Sequence, residues 1–193
     1  MTCMVLVKHV EEPPFEAMNA LRYAGCPEAD AATLDLLYSC YEELRSGLRY
    51  AVCSCELPLT VKNGTCELGS LSLPSTDLAN YFGDCRRAVL FAATVGVAPD
   101  RLIERYSRVS PSRALMLQAI GAERIEALCD AFCATLEGAL PSRFSPGYGD
   151  LPLSVQQQLI RVLDTERKIG VCLNESLLMS PTKSVTALVG LKG

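Results

Sequence analysis

The chain has 193 residues, a formal charge of -4 and a pI near 5.1. That balance excludes a nucleic-acid surface, which needs clustered Lys and Arg. No apolar run approaches the roughly 20 residues of a membrane span. With 49% hydrophobic and 21% charged residues, the chain is long enough for one domain with a sizeable core.

Met1 to Val10 is too short and wrongly charged for a secretory signal, and the expected location is cytoplasmic. The ten cysteines agree with a reducing compartment. A secreted disulfide scaffold is usually much shorter and loop-rich. Cys53 and Cys55 are spaced for one face of a strand, and Cys129 and Cys133 lie one helical turn apart. There is no C-x-x-C pair and only one histidine, His9, so zinc spacing is missing. Buried thiols, with no disulfide and no structural metal, are the expectation.

In chain order, Glu16 to Tyr23 reads as a short helix stopped at Gly25. Ala29 to Ser46 reads as a stronger one, with Leu34, Leu37, Tyr38, Tyr41 and Leu44 at helical spacing. Tyr50 to Leu57 alternates as a strand, and Asn63-Gly64 is a two-residue hairpin turn. Ser75 is positioned to cap a short helix that stops at Gly83. Ala88 to Val95, A-V-L-F-A-A-T-V, is a continuous apolar run of the length of a buried central strand. Pro99 opens a further helix. A long helix is predicted over roughly Arg113 to Leu140, apolar nearly all round at its start and so packed across a sheet. Ser154-x-x-Gln157 is a capping-box pattern ahead of Leu159, Val162 and Leu163, with Gly170 ending that helix. Val171 to Glu175 and Ser184 to Leu191 read as two strands joined around Ser180-Pro181-Thr182. The three most strand-like runs, Val89–Thr94, Val171–Glu175 and Ser184–Leu188, are expected in one mainly antiparallel sheet. Residues 1–193 form a single α+β domain in this reading, with residues 1–48 a helical N-terminal extension.

Between the last helices lies R-F-S-P-G-Y, Arg143 to Tyr148. Pro146 and Gly147 make it a loop. A fixed cation, a glycine that lets a ligand approach the backbone and an adjacent aromatic suit a small zwitterionic ligand.

The order R-x-x-x-G-Y, helix, I-G-V-C-L-N-E-S (Ile169 to Ser176), M-S-P (Met179 to Pro181) and S-V-T-A-L (Ser184 to Leu188) resembles the activation domain of cobalamin-dependent methionine synthase. The resemblance is strongest over Arg143 to Ala187. It implies a curved, mainly antiparallel sheet covered by helices. It also implies a site for S-adenosylmethionine, with Arg143 on the ligand carboxylate and Ser145, Pro146, Gly147 and Tyr148 shaping the loop. Glu175 and Ser176 match the family's E-S pair, and a polar pair at a sheet edge is the other reading of them. The family's acidic residue for the ligand amino group falls near the N-terminus, where Glu11, Glu12 and Asp30 are the candidates.

Two departures are visible. Leu188 and Val189 stand where the family has an aromatic pair, with Ala187 in place of a glycine. The sequence ends at Gly193 where the family continues.

The activity implied is positioning S-adenosylmethionine for reductive methylation of cob(II)alamin. The cobalamin is carried by a methionine synthase polypeptide in trans, and the electron comes from a reductant protein such as a flavodoxin. Methyltransferase activity is then expected only with that partner, since the D-x-H-x-x-G cobalamin signature is missing here and His9 reads as a surface residue. A non-catalytic scaffold or chaperone for a corrinoid methyltransferase is the other reading, favoured by Leu188-Val189.

Overall fold

The computed structural model describes residues 4–192 of the chain, so Cys3 and Gly193 lie outside the described residues. The apolar run forms β5 (Arg87–Thr94), and its alternation divides the core. Val89, Phe91 and Ala93 face one hydrophobic cluster, while Ala88, Leu90 and Ala92 face the other. A strand flanked by both clusters has no solvated face, which is why it reads as an unbroken apolar run.

Every strand pairing among the described residues is antiparallel. Strand β2 (Ala51–Lys62) lies along β5, and β8 (Ser184–Leu191) lies on the other side of β5. Strand β1 (Leu6–His9) pairs with the first half of β2. The second half of β2 pairs with β3 (Thr65–Leu68), and β3 with β4 (Leu71–Pro74). The partner change on β2 falls at Pro58, which faces Arg87 at the end of the β5 ladder. Proline has no N–H to donate, so it suits the point where one ladder stops. Asn63 and Gly64 both take positive φ, 50° and 74°, as a type I′ hairpin turn requires.

On one face, α5 (Pro111–Cys133) crosses β5 and β8. Packed onto α5 are α1 (Ala17–Tyr23), α2 (Ala31–Arg45) and α4 (Ala98–Tyr106). Residues before position 48 thus supply α1 and α2 to the same cluster that β5 enters. Arg124 of α5 is fully buried and pins the segment ahead of α1. Its guanidinium bonds Glu123, donates to the carbonyls of Pro13 and Pro14 (both 2.6 Å) and lies over the Phe15 ring. The other face carries α3 (Thr76–Phe82), α6 (Gln156–Leu163) and α7 (Thr165–Ile169). The result is the curved antiparallel sheet with helices that the resemblance implied.

Three expectations need correction. The long helix ends at Cys133, not Leu140, because residues 138–144 turn back to bond β8. Lys192 N–H donates to the Gly138 carbonyl (2.8 Å) and Leu140 N–H to that of Gly190 (2.9 Å). Val171–Glu175 does not join the main sheet. Only Cys172–Leu173 (β6) is a strand, and it pairs with Met179–Ser180 (β7) in a separate two-stranded ladder. The Ser154 capping box does not form either: Leu153–Val155 is a 3-10 turn without a side-chain cap. The helix after it breaks at Asp164, left-handed at φ 49°, and Gly170 ends α7. Ser75 does cap α3, accepting from Leu78 N–H at 3.0 Å.

Among the described residues no helix is long and apolar enough to cross a membrane. Cys40, Cys53, Cys66, Cys85 and Cys129 are buried thiols, Cys26 and Cys133 are half-buried, and Cys172 is exposed. Burial pushes the Cys53 and Cys66 thiols up to about 11.

Candidate functional site

Strand β8 is only partly covered along its outer edge. Phe144 and Leu188 exchange backbone bonds of 3.0 and 2.8 Å, so Leu188 directs its N–H and C=O away from β5. Residues of the same parity, Ser184 and Thr186, direct theirs the same way. No strand of the described residues covers that stretch, and a cleft of about 400 Å³ opens there. Beta-edge groups of this kind seek an outside partner.

The loop 138–152 forms the cleft's other wall and is held at several points. Phe144 packs between the Tyr81 and Tyr148 rings, with centroids 5.5 and 6.0 Å away. Tyr81 donates its hydroxyl to the Ser142 carbonyl at 2.7 Å. Asp150 crosses to the start of α3, accepting from the Ser75 hydroxyl, Thr76 N–H (2.8 Å) and Asp77 N–H (3.2 Å). A carboxylate there satisfies otherwise orphaned helix N–H groups. Gly147 has φ +91° and donates its N–H to the Leu151 carbonyl at 2.9 Å, which closes the turn behind Pro146. That conformation favours glycine.

The charged centre of the cleft is Arg143. Its guanidinium bonds the Asp130 carboxylate and, at 2.5 Å, that of Glu126. Burial works against the charged guanidinium, but the Asp130 bond and neighbouring groups outweigh it, so its pKa moves up. Glu126 and Asp130 lie one turn apart on α5. Each gives one oxygen to Arg143, while Glu126 Oε1 and Asp130 Oδ2 take no hydrogen bond from the described residues. Gln156 of α6 and Met179 of β7 close the far side. Thr186 also lines the cleft, and its buried Oγ1 has no partner among the described residues.

Four of the expected site residues, Arg143, Ser145, Pro146 and Tyr148, line this cleft. Gly147 shapes its loop from behind. Glu175 and Ser176 stand apart in the exposed turn between β6 and β7, where Ser176 N–H bonds the Asn174 side chain at 2.9 Å. The acidic candidates near the N-terminus lie elsewhere. Asp30 caps α2 through Thr33 N–H (2.8 Å), Glu12 accepts from Tyr41 (2.6 Å) and Arg45 (3.0 Å), and Glu11 is exposed. None of the three lines the cleft. His9 is exposed on β1. Sequence reasoning missed Glu126, Asp130, Gln156 and Thr186. The only signal for the first two is E-x-x-x-D, a pair of carboxylates one turn apart on a mostly apolar helix.

A second cleft, about 370 Å³, lies on the other side of Glu126 and Asp130, between α1 and α5. It is lined also by Glu16, Arg22, Tyr23 and Glu123. Tyr23 has its pKa raised by burial first, and then by Glu126, Glu123 and Asp130.

Residues 137–192 match the family profile described as the vitamin B12 dependent methionine synthase activation domain. No curated protein sequence matches the chain. Among solved structures, the crystal structure of the MetH reactivation domain bound to AdoHcy superposes with a TM-score of 0.72 at 13% identity. The match covers 97% of this chain and 78% of that one. Over residues 137–192 the chain thus carries the sequence pattern of the methionine synthase activation domain, and over nearly all its length it has the fold of the reactivation domain.

Proposed function

We propose that the cleft beside β8 binds S-adenosylmethionine and presents it to a cobalamin held by a partner polypeptide of the methionine synthase type. The observation that carries the reading is the Arg143–Glu126–Asp130 cluster, which sets a cation and two carboxylates side by side in a cleft of about 400 Å³. That volume suits a small organic ligand, and the charges suit an amino acid's carboxylate and ammonium. Arg143 takes the carboxylate with N–H donors left over from its two ion pairs, since a guanidinium carries five. Glu126 Oε1 and Asp130 Oδ2 accept from the ammonium. The exposed ring of Tyr148 offers the adenine an apolar face, a place that Leu188 and Val189, both buried in the core, do not supply. Thr186 Oγ1 is a buried polar atom in want of a partner, which fits a polar ligand in this cleft.

A partner's reduced cobalamin supplies the nucleophile for the methyl group, with the electron coming from a reductant protein such as a flavodoxin. This chain's residues hold and orient the ligand. No general acid or base is required, because the sulfonium is already a good leaving group. Fixing the methyl donor turns an encounter into an effectively intramolecular step.

Titration calorimetry with S-adenosylmethionine tests the reading. Saturable one-site binding is expected, with methyl transfer when a cob(II)alamin-loaded partner and a reductant are added. Absence of binding at millimolar ligand would favour the second reading, a scaffold for a corrinoid methyltransferase. The observations on that side are the neutralisation of Arg143 by two carboxylates and the aliphatic Leu188-Val189.

A further inference from the structure

We infer that the cleft selects its ligand by net charge, holding the sulfonium form in preference to the neutral thioether left after the methyl group departs. The inference rests on the reading of the cleft as an S-adenosylmethionine site.

Among the described residues lining the cleft, the charged side chains are Glu126, Asp130 and Arg143, two carboxylates against one guanidinium. The cleft therefore carries a surplus of one negative charge. The neighbouring cleft does not cancel it. There the single charges of Glu16 and Arg22 offset each other in the count, and Glu123 is held by the fully buried Arg124 at 2.5 Å. The same carboxylates add to the rise in the Tyr23 pKa, of which burial is the larger cause. The surplus is also available to a ligand, because each carboxylate keeps one oxygen free of hydrogen bonds from the described residues. Independently of these acids, the buried Thr186 Oγ1, which has no partner among the described residues, lines the same cleft.

S-adenosylmethionine carries a carboxylate, an ammonium and a sulfonium, one net positive charge. S-adenosylhomocysteine keeps the carboxylate and ammonium but is neutral overall. The amino-acid end therefore gives no discrimination, since both ligands present it identically. The sulfonium has no hydrogen to donate, so the protein senses it only through space, where a partly dehydrated cleft strengthens the interaction. A cleft of charge −1 is neutralised by the first ligand and left unbalanced by the second. The spent product is then held less tightly, through the loss of its own charge.

The experiment measures affinities by calorimetry for S-adenosylmethionine, S-adenosylhomocysteine and sinefungin, in which a protonated amine replaces the sulfonium. The two cationic ligands should bind more tightly than S-adenosylhomocysteine by on the order of tenfold, about 1.4 kcal/mol. The ratio should shrink at high salt. Glu126→Gln should shrink it as well, by removing the surplus charge, and Asp130→Asn gives a second, more exposed variant whose folding is checked by its thermal transition. Equal affinity of all three ligands, or an undiminished ratio in both folded variants, would overturn the inference while leaving the binding site standing. Failure of all three to bind would overturn the inference together with the reading it rests on.

Discussion

Replacing Arg143 with alanine removes two ion pairs at once and leaves Glu126 and Asp130 one helical turn apart with no cation between them. The Glu126 pair, at 2.5 Å, is partly sheltered, with side-chain exposures of 19% and 43%. It should contribute about 1 kcal/mol, the upper end of what surface pairs give. Asp130 is 74% exposed, so solvent screening leaves its pair only a few tenths. The uncancelled like charges at i and i+4 cost a few tenths more. A total loss of about 1.5–2 kcal/mol follows, which lowers Tm by about 4–6 °C for a chain of this length. The pairs also tie the loop 138–152 to α5, so the loss should be electrostatic in origin. Thermal unfolding of wild type and Arg143→Ala in low salt, and again in 1 M salt where the Debye length is about 3 Å, reads both quantities. The difference should shrink by about half or more at high salt. Arg143→Lys should recover part of it, since an ammonium keeps the charge but not the two-pronged geometry. An unchanged Tm for Arg143→Ala in low salt, or the full loss persisting in 1 M salt, would refute the reasoning.

Phe91 is fully buried on β5 against the Phe132 ring, centroids 4.9 Å apart, so Phe91→Ala should destabilise by about 3–5 kcal/mol in chemical denaturation. Asp150 is held below the usual carboxylate range, first by the Ser75 hydroxyl and then by the Thr76 and Asp77 N–H groups. A depressed folded pKa gives stability that is fully present above about pH 4 and is lost as pH falls through the lower folded value. Unfolding midpoints of Asp150→Asn between pH 6 and 2.5 should therefore fall less steeply with acid than those of wild type.

Much of the fold follows from local chemistry that the sequence states directly. Asn63-Gly64 makes its hairpin because two successive residues must take positive φ. Ser75 caps α3 because its hydroxyl answers an orphaned N–H three residues on. The run from Ala88 is central because its side chains, Thr94 apart, are all apolar. Arg143 to Tyr148 is a loop with a cation, and four of its residues reach the cleft. Tertiary contact decided the rest. Helix propensity alone carries α5 through to Leu140, but bonds from residues 138–144 to β8 cost less than leaving that strand edge unpaired. That early turn is what returns Arg143 to Glu126 and Asp130, and no pattern in the sequence states that residues 126, 130 and 143 share one charge cluster. Val171 to Glu175 has the composition of a strand, yet only Cys172–Leu173 becomes one, and it pairs with Met179–Ser180 while part of the β8 edge bonds Phe144, Leu140 and Gly138. Composition states what a segment can pair with; which edge remains for it is settled only when the other strands have taken theirs.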